Sequence, residues 1–276
     1  MTIVALWYRE RYQELWCASD ARVTGNFAAL TDAASKILPV PILCHKHVGG
    51  PKFDVVHRHS LGFAFAGSTL AAVSSHAVLT ACTQNLLDES EGMYSVPVEA
   101  VAELLRSIGE TTIRDMSSRQ NRDVVFEALI FGFCPVAREY RGFAIAPNKT
   151  DGTLRMVIGQ LLLEPGRFHL LGSGERAFLD LHSQLAATHS DPGVLTTLAA
   201  MVHDNIQDDV GGHVQIGVAS SDGFHVLPVI EPGDGPNRRT VTFLGLDLAN
   251  GLRVGGCRVG FRAVGVGLPT GTADQL

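Results

Sequence analysis

Two short stretches of β-branched and aromatic residues open the chain, and a charged triplet separates them. They cover residues 3–8 and 12–18, with Arg9, Glu10 and Arg11 between them. Short apolar runs rich in Val, Ile, Trp and Tyr are typical of paired strands. The pattern therefore predicts a hairpin at the N-terminus.

A second extended region begins at Lys36 and is followed by two helical patterns. The segment ILPVPILCHKH turns at residues 48–51 and returns through FDVVHRHSLGFAFAG, which predicts another hairpin that ends in a buried strand. Residues 70–87 then carry Ala, Val and Leu at three- and four-residue spacing, after Gly67-Ser68-Thr69, where a hydroxyl can cap the first turn. A second helix is predicted after Pro97, which suits a first helical turn.

The remaining chain repeats this order of strands followed by a helix pair. Strands are predicted at 124–134, 140–146, 154–163 and 168–171, and helices at 175–189 and 195–207. The closing part is again extended, at 213–220, 223–230, 238–248 and 252–261, and Asn250-Gly251 is a strong two-residue hairpin signal. Helix pairs between sets of antiparallel strands predict an α+β fold, a four-layer αββα sandwich of two antiparallel sheets flanked by helix pairs.

Composition narrows the function classes. The chain has 276 residues, 46% of them hydrophobic, and a formal net charge of −6 without a basic block, so neither nucleic acid nor a membrane is an expected partner. The first apolar run stops at Tyr8, too early for a secretory leader. Five scattered cysteines favour a reducing, cytoplasmic setting. No cofactor and no metal centre is predicted.

Candidate chemistry lies near the N-terminus. If Met1 is removed, Thr2 carries a hydroxyl and a free α-amine on one residue, which is a nucleophile with its own base. Asp20 and Lys36 follow, sixteen residues apart. Alternatively, Asp20 caps a turn and Lys36 is an exposed residue at the start of a strand.

Four stretches resemble the proteasome β-subunit family and the related bacterial heat-shock-locus peptidase, which are N-terminal nucleophile (Ntn) hydrolases. They are TIVALW, ASDARVTG, FAFAGSTLAA and HLLGSGERAFLDLHSQLAA, in the family's order. Asp20 and Lys36 are separated by the family's interval. The spacing from Thr2 to Asp20 is two residues longer, which keeps the same side chains on one face of a strand pair.

The resemblance implies a division of the chain and a class of activity. Residues 1–230 would form the Ntn-hydrolase domain, and residues 231–276 a β-rich extension packed on that domain or on a neighbouring subunit. The implied function is a threonine endopeptidase in a self-compartmentalised homo-oligomer of stacked rings, with peptides or unfolded proteins as substrates and an ATP-dependent unfoldase as a further partner. An inactive ring-forming scaffold and an amidohydrolase of small amides are the alternatives.

The resemblance also implies a role for each matched residue. Thr2 would attack the carbonyl, with its α-amine as base and Lys36 and Asp20 tuning that amine. The backbone N–H of Ala64 matches the family's oxyanion donor. Ser173 matches a serine near the terminal amine, although its hydroxyl could equally cap the following helix. Asp208 matches the family's second aspartate only with a one-residue deletion. At the position where the family has a serine, this chain has Val210.

Two further interpretations compete with the peptidase: a zinc site and a non-catalytic subunit. Cys44, His45, His47, His57 and His59 lie on the arms of one predicted hairpin, where alternate residues could converge on zinc, although an exposed polar strand face gives the same pattern. A non-catalytic α-type subunit would have a helix before the first strand. The chain as given starts at the strand, which argues against that subunit type.

Overall fold

The computed structural model describes residues 2–25, 28–88, 95–188, 192–232, 239–248, 252–259 and 266–268. These residues form a mixed α+β structure. In chain order its strands and helices are β1 (Val4–Arg9), β2 (Glu14–Ser19), β3 (Val23–Thr24), β4 (Ala29–Thr31), β5 (Ile37–Gly49), β6 (Lys52–Gly67), α1 (Thr69–Thr83), β7 (Leu86–Leu87), α2 (Val98–Gln120), β8 (Phe126–Cys134), β9 (Glu139–Thr150), β10 (Thr153–Gln160), β11 (Phe168–Leu171), α3 (Glu175–Thr188), α4 (Val194–His203), β12 (Gln215–Ser220), β13 (Gly223–Leu227), β14 (Val229–Pro232), β15 (Arg239–Phe243), β16 (Leu246–Asp247), β17 (Arg253–Val254), β18 (Cys257–Arg258) and β19 (Val266–Gly267).

The predicted N-terminal hairpin forms the centre of a five-stranded sheet with the order β11-β1-β2-β12-β13. Strands β1 and β2 pair antiparallel from Val4 opposite Ser19 to Arg9 opposite Glu14. A short 3₁₀ turn joins them, and Gln13 closes it in the left-handed region at φ 49°. The charged triplet therefore lies at the hairpin tip, as the pattern predicted.

The second predicted hairpin forms part of a six-stranded sheet with the order β10-β9-β8-β6-β5-β7. Strands β5 and β6 pair over most of their length, and Ile37 lies opposite Ala64 at the inner end. The outer end turns at residues 49–52 and is largely exposed. Strand β8 adds to β6 on the other side, which places β6 inside the sheet.

The four predicted helices form within the described residues, with shorter ends in two cases. Helix α1 starts after Ser68, whose side chain accepts from Ala71 N at 3.4 Å, and ends at Thr83 rather than at Leu87. Leu86 and Leu87 instead pair with β5. Helix α4 ends at His203, before the polar stretch that the periodicity had included.

Three groups of buried apolar side chains connect these elements. One joins α1 and α2 to the six-stranded sheet, through residues such as Leu79, Leu105 and Phe126. Another joins α3 and α4 to the five-stranded sheet. The third contains residues of both sheets, among them Val4 and Ala64. The residues of the candidate site lie at the border of this third group.

The chain after residue 228 forms a smaller sheet with the order β16-β15-β14-β19. The hairpin predicted between 238–248 and 252–261 does not describe the pairing of these strands: β16 pairs with β15 across Leu244-Gly245, and β17 pairs with β18. Asn250 and Gly251, the predicted turn, lie outside the described residues. The tip at Gly245 approaches Ala33, so the extension contacts the first part of the chain.

Two properties bear on the setting of the protein. Within the described residues, no helix combines the length and the apolar character needed to cross a bilayer. All five cysteines are free thiols.

Candidate active site

The hairpin of β1 and β2 places Thr2 beside Asp20. The register that sets Val4 opposite Ser19 brings the two residues just outside the hairpin close together. Ile3 N donates to Asp20 Oδ1 at 3.1 Å, and the Thr2 residue is only 5% exposed. The alternation of β1 directs Thr2 to the same face as Val4 and Leu6, which contact the other sheet.

Lys36 joins this pair from the start of β5. Its Nζ lies 2.5 Å from Thr2 Oγ1 and 2.8 Å from Asp20 Oδ1. The side chains of Lys36 and Asp20 are 1% and 0% exposed. Three residues that the sequence singled out by spacing are therefore in direct contact, and the alternative of an exposed Lys36 is wrong for this structure.

The second oxygen of Asp20 is held by the backbone. Oδ2 accepts from Arg22 N and from Gly211 N, both at 3.2 Å. Gly211 O in turn accepts from Arg22 N at 2.9 Å. The segment 207–212 is thereby fixed against Asp20, and a carboxylate with this many donors keeps a defined orientation.

Burial is the largest influence on the ionisation of both partners. It raises the pKa of the Asp20 carboxyl above its usual range, although Lys36 and two backbone N–H groups oppose the rise. It lowers the pKa of the Lys36 amine below its ordinary value, against the attraction of Asp20. Lys36 consequently releases its proton more readily than an exposed lysine, which suits a base beside a hydroxyl.

Gln215 supports Lys36 from behind and was missed at the sequence level. Its Oε1 accepts from Lys36 N at 2.9 Å, and its Nε2 donates to Ala34 O at 2.7 Å. The residue is 1% exposed. The available signal in the sequence was a glutamine at the start of a mostly apolar strand, QIGVAS.

The turn from β11 into α3 holds Thr2 through its backbone. Gly174 N donates to Thr2 O at 3.2 Å. Gly172 has φ +95°, and a Cβ at that position would lie 2.1 Å from Thr2 O, so no side chain fits there. Ser173 lies between the two glycines, next to Thr2 in space, and its side chain is exposed.

The segment 207–212 carries two adjacent carboxylates in different environments. Asp208 is exposed, and its charge acts on Arg22, which also donates to Asp208 O at 2.9 Å. Asp209 is 8% exposed, and both of its carboxylate oxygens are buried without a hydrogen-bond partner among the described residues. Its charge raises the pKa of Lys36. The carboxylate that faces the candidate site is therefore Asp209, one position after the residue that the sequence comparison selected.

Ala64 lies on the opposite sheet, close to the same point. It is buried and pairs with Ile37, the residue after Lys36. Ala66, two residues further along β6 and on the same face, borders the contact of Gly172 with Thr2: a Cβ on Gly172 would lie 3.1 Å from Ala66 Cβ. The structure thus brings Thr2, Asp20, Lys36 and the β6 segment with Ala64 to one end of the two sheets.

The cysteine and histidine residues of the β5–β6 hairpin do not form a metal site. Among the described residues, no group of three or more His, Cys, Asp or Glu side chains could hold a metal ion. His45, His47 and His59 instead contact backbone oxygens of Leu86, Gly50 and Phe133. These contacts fix the rings along the strands.

Comparison with known proteins supplies the fold and no sequence family. No family model and no curated protein matches the chain. The Anbu complex of Pseudomonas aeruginosa, described as a helical assembly, is similar over 82% of this chain and 86% of that one, at 16% identity and a TM-score of 0.54. Anbu from Hyphomicrobium sp. strain MC1 is similar over 87% of both chains, at 14% identity and a TM-score of 0.51.

These findings correct the expected family. The assignment to the proteasome β-subunit and heat-shock-locus peptidase family is wrong, because no family model matches and the two similar solved structures just described are Anbu proteins. The four stretches that suggested it mark structural positions: the first strand, the Asp20 turn, the strand entering α1, and the glycines that contact Thr2. The chain has the fold of the Anbu proteins.

Proposed function

We propose that the protein is a threonine-type peptidase whose nucleophile is the hydroxyl of Thr2, freed by removal of Met1. The observation that carries the proposal is the buried chain of contacts from Thr2 Oγ1 through Lys36 Nζ to Asp20 Oδ1. A lysine is costly to bury without a nearby acid, which accounts for Asp20 beside Lys36. A threonine at the end of a strand needs neither a lysine nor an aspartate for its folding. Met1 itself lies outside the described residues.

The contacts support a proton path through Lys36. A neutral Lys36 amine accepts the proton of Thr2 Oγ1 while the oxygen attacks a peptide carbonyl, and Asp20 stabilises the resulting ammonium. An N–H of the β6 backbone next to Lys36 would donate to the oxyanion; the sequence comparison selected the N–H of Ala64 for this role. Lys36 returns the proton to the leaving amine, and water hydrolyses the Thr2 ester by the same path. Lys36 takes the place of the α-amine as first acceptor because it already contacts Oγ1.

The α-amine of Thr2 has a separate partner in this proposal. Removal of Met1 creates an ammonium group on Thr2, whose carbonyl accepts from Gly174 N. Gly174 lies against Val210, and the carboxylate oxygens of the residue before Val210, Asp209, are buried without a hydrogen-bond partner among the described residues. Asp209 would therefore orient the free terminus, whereas the sequence comparison matched Asp208 to the family's second acid. Ser173, with its exposed hydroxyl next to Thr2, would contact the same terminus.

The architecture and the division of the chain fit this function. We place the elements in an αββα sandwich of the Ntn-hydrolase type, supported by the three apolar groups that link helices to each sheet and the sheets to each other. Residues 1–230 would form the catalytic domain and residues 231–276 the added extension. Free cysteines are in keeping with a cytoplasmic site of action.

Self-assembly is part of the proposal. Helix α1 has no charged residue, and Leu70, Val73 and Val78 on its outer side are 65%, 39% and 50% exposed. An apolar outer face of this kind is suited to burial against another copy. The Pseudomonas Anbu complex is a helical assembly. Closed rings and an open helix are the two forms to distinguish, and light scattering that finds a monomer would remove assembly from the proposal.

Hydrolysis of fluorogenic peptides tests the function. Thr2→Ala should lower the rate at least about 10⁴-fold, as loss of a nucleophile does, while Thr2→Ser should retain measurable activity. The Thr2→Ala protein should keep its circular dichroism spectrum and oligomeric state. Unchanged hydrolysis in Thr2→Ala would assign the activity to another site. A wild-type protein that assembles but hydrolyses neither peptides nor small amides would favour the inactive scaffold.

A further inference from the structure

The segment 211–215, which leads into strand β12, is tied to the candidate site at both of its ends. At one end, Gly211 N donates to Asp20 Oδ2 at 3.2 Å. At the other end, Gln215 Oε1 accepts from Lys36 N at 2.9 Å. A shift of this segment would therefore move the groups that hold the buried carboxylate and the buried amine.

The middle of the segment is held by a carboxylate from the C-terminal part of the chain. Glu231 is the first residue of the predicted extension and lies in strand β14. Its Oε1 accepts from Val214 N at 2.9 Å, and its Oε2 lies 2.7 Å from His213 Nδ1. The Glu231 side chain is 14% exposed. One side chain thus fixes both the backbone and a ring of the segment.

Charge strengthens the contact between Glu231 and His213. The hydrogen bond to Glu231 raises the pKa of His213 above its ordinary value, against the effect of burial. The charges of Asp32 and Asp247 raise it further. Hydrogen bonds between ionised partners are shorter and stronger than neutral ones. The Glu231 carboxylate therefore has a defined partner as well as a backbone donor.

The strand that carries Glu231 has its own attachment to the protein. Val229 is 2% exposed and belongs to the apolar group of the five-stranded sheet, and Val266 and Leu268 pack against that group. Leu268 N also donates to Ile230 O at 2.9 Å. An ordered element, rather than a loose terminus, therefore presents the carboxylate to the segment.

A second part of the extension contacts the chain just before Lys36. The turn between β15 and β16 brings Gly245 against Ala33, where a Cβ on the glycine would lie 3.2 Å from Ala33 Cα. The next residue, Ala34, accepts from Gln215 Nε2 at 2.7 Å through its carbonyl oxygen. The extension thus touches both of the chain segments that position the lysine.

We propose that Glu231 is a positioning residue of the candidate site, and that through it the C-terminal extension sets the arrangement of Lys36 and Asp20. The inference rests on the proposed function and deepens it, because it makes the extension part of the working site. Reacting groups that are displaced by about 1 Å lose on the order of 10²-fold in rate. Since these groups act on the transition state, the loss should fall on kcat rather than on KM.

Peptide hydrolysis by folded protein tests the role of the carboxylate. Glu231→Ala should lower kcat about tenfold or more and change KM less than about twofold. Glu231→Gln keeps an oxygen for Val214 N and should retain at least about a third of kcat. The matched control is Glu110→Ala: Glu110 is 18% exposed and accepts from Met156 N at 3.0 Å on helix α2. Equal losses of kcat in both alanine variants, or no rescue by glutamine, would overturn the proposal.

Hydrogen exchange of the full chain, followed by mass spectrometry, separates this proposal from the peptidase itself. In Glu231→Ala, peptides that cover 32–38 and 207–215 should exchange at least about tenfold faster, while peptides of β8 and β9 stay unchanged. His213→Ala keeps the contact with Val214 N and should give a smaller increase in the same peptides, which preserves the test if Glu231→Ala does not fold. This pattern supports the positioning role even if no variant hydrolyses peptides. Unchanged exchange at 32–38 contradicts it, whatever the activity.

Discussion

The two sides of the candidate site hold their charged groups in different ways. On the strand side, the buried carboxylate of Asp20 has Lys36 and three backbone N–H groups as partners. On the loop side, the buried carboxylate of Asp209 has no hydrogen-bond partner among the described residues. The difference is that the Asp20 carboxylate has all of its partners within the chain, whereas the Asp209 carboxylate is suited to a positive group. In the proposed function that group is the α-ammonium created by removal of Met1.

Breaking the strand side should have the largest effect. Asp20→Ala leaves the Lys36 charge buried without its partner, which should cost about 3–5 kcal/mol of unfolding free energy and abolish peptide hydrolysis. The matched control is Asp123→Ala, which breaks the Asp123–Lys149 pair, at 2.7 Å against 2.8 Å but half exposed, and should cost less than about 1 kcal/mol. Urea denaturation measures both. Equal costs would mean that the buried pair is not a structural unit.

The turn that holds Thr2 should respond to a single methyl group. Gly172→Ala adds a Cβ against Thr2 O at a backbone with φ +95°. Gly166→Ala has a similar strain, at φ +77°, with nothing within 4 Å of the new Cβ. The control should lose about 1 kcal/mol and keep its activity, while Gly172→Ala should lose about 1–3 kcal/mol more and most of the activity. Similar losses in both variants would refute the close contact at Thr2.

The loop side should show an effect on activity with little effect on folding. Asp209→Asn removes the proposed partner of the α-ammonium and should lower kcat/KM about tenfold, the worth of one charge-assisted hydrogen bond. Asp208→Asn changes an exposed carboxylate and should alter kcat/KM less than twofold. The two variants differ by one position in the same segment. A larger loss of activity in Asp208→Asn would identify Asp208, the residue chosen from sequence, as the functional carboxylate.

A pH profile distinguishes the two sides with the smallest expected change. If the neutral Lys36 amine is the base, activity rises with pH through its pKa, which burial lowers below the ordinary value. Asp20 opposes that lowering, so Asp20→Asn should move the rising limb to lower pH by about one unit. Asp209→Asn should move it less, because Asp209 acts on Lys36 without a hydrogen bond. A larger shift in Asp209→Asn would identify the α-amine as the base.

Regular elements were predictable from sequence, and so was the proximity of the candidate residues at their ends. Thr2, Asp20 and Lys36 lie at the ends of strands, where counting residues preserves which side chains share a face. The loop at 207–212 has no such period, so counting selected Asp208, which the structure shows exposed, while its neighbour Asp209 is buried. Gln215 was missed because its partners, Lys36 N and Ala34 O, are backbone atoms about 180 residues away in the chain. The helix end after Thr83 was misplaced because Leu86 and Leu87 pair with β5, a tertiary contact that periodicity does not report.

The intact mass of the mature protein tests the central claim most directly, before and after reaction with an electrophile that captures N-terminal threonine. The account predicts a chain that starts at Thr2 and takes up one inhibitor on that residue, with no uptake in Thr2→Ala. A chain that keeps Met1 has no free amine on Thr2, and its mass, unchanged by the inhibitor, would contradict the account.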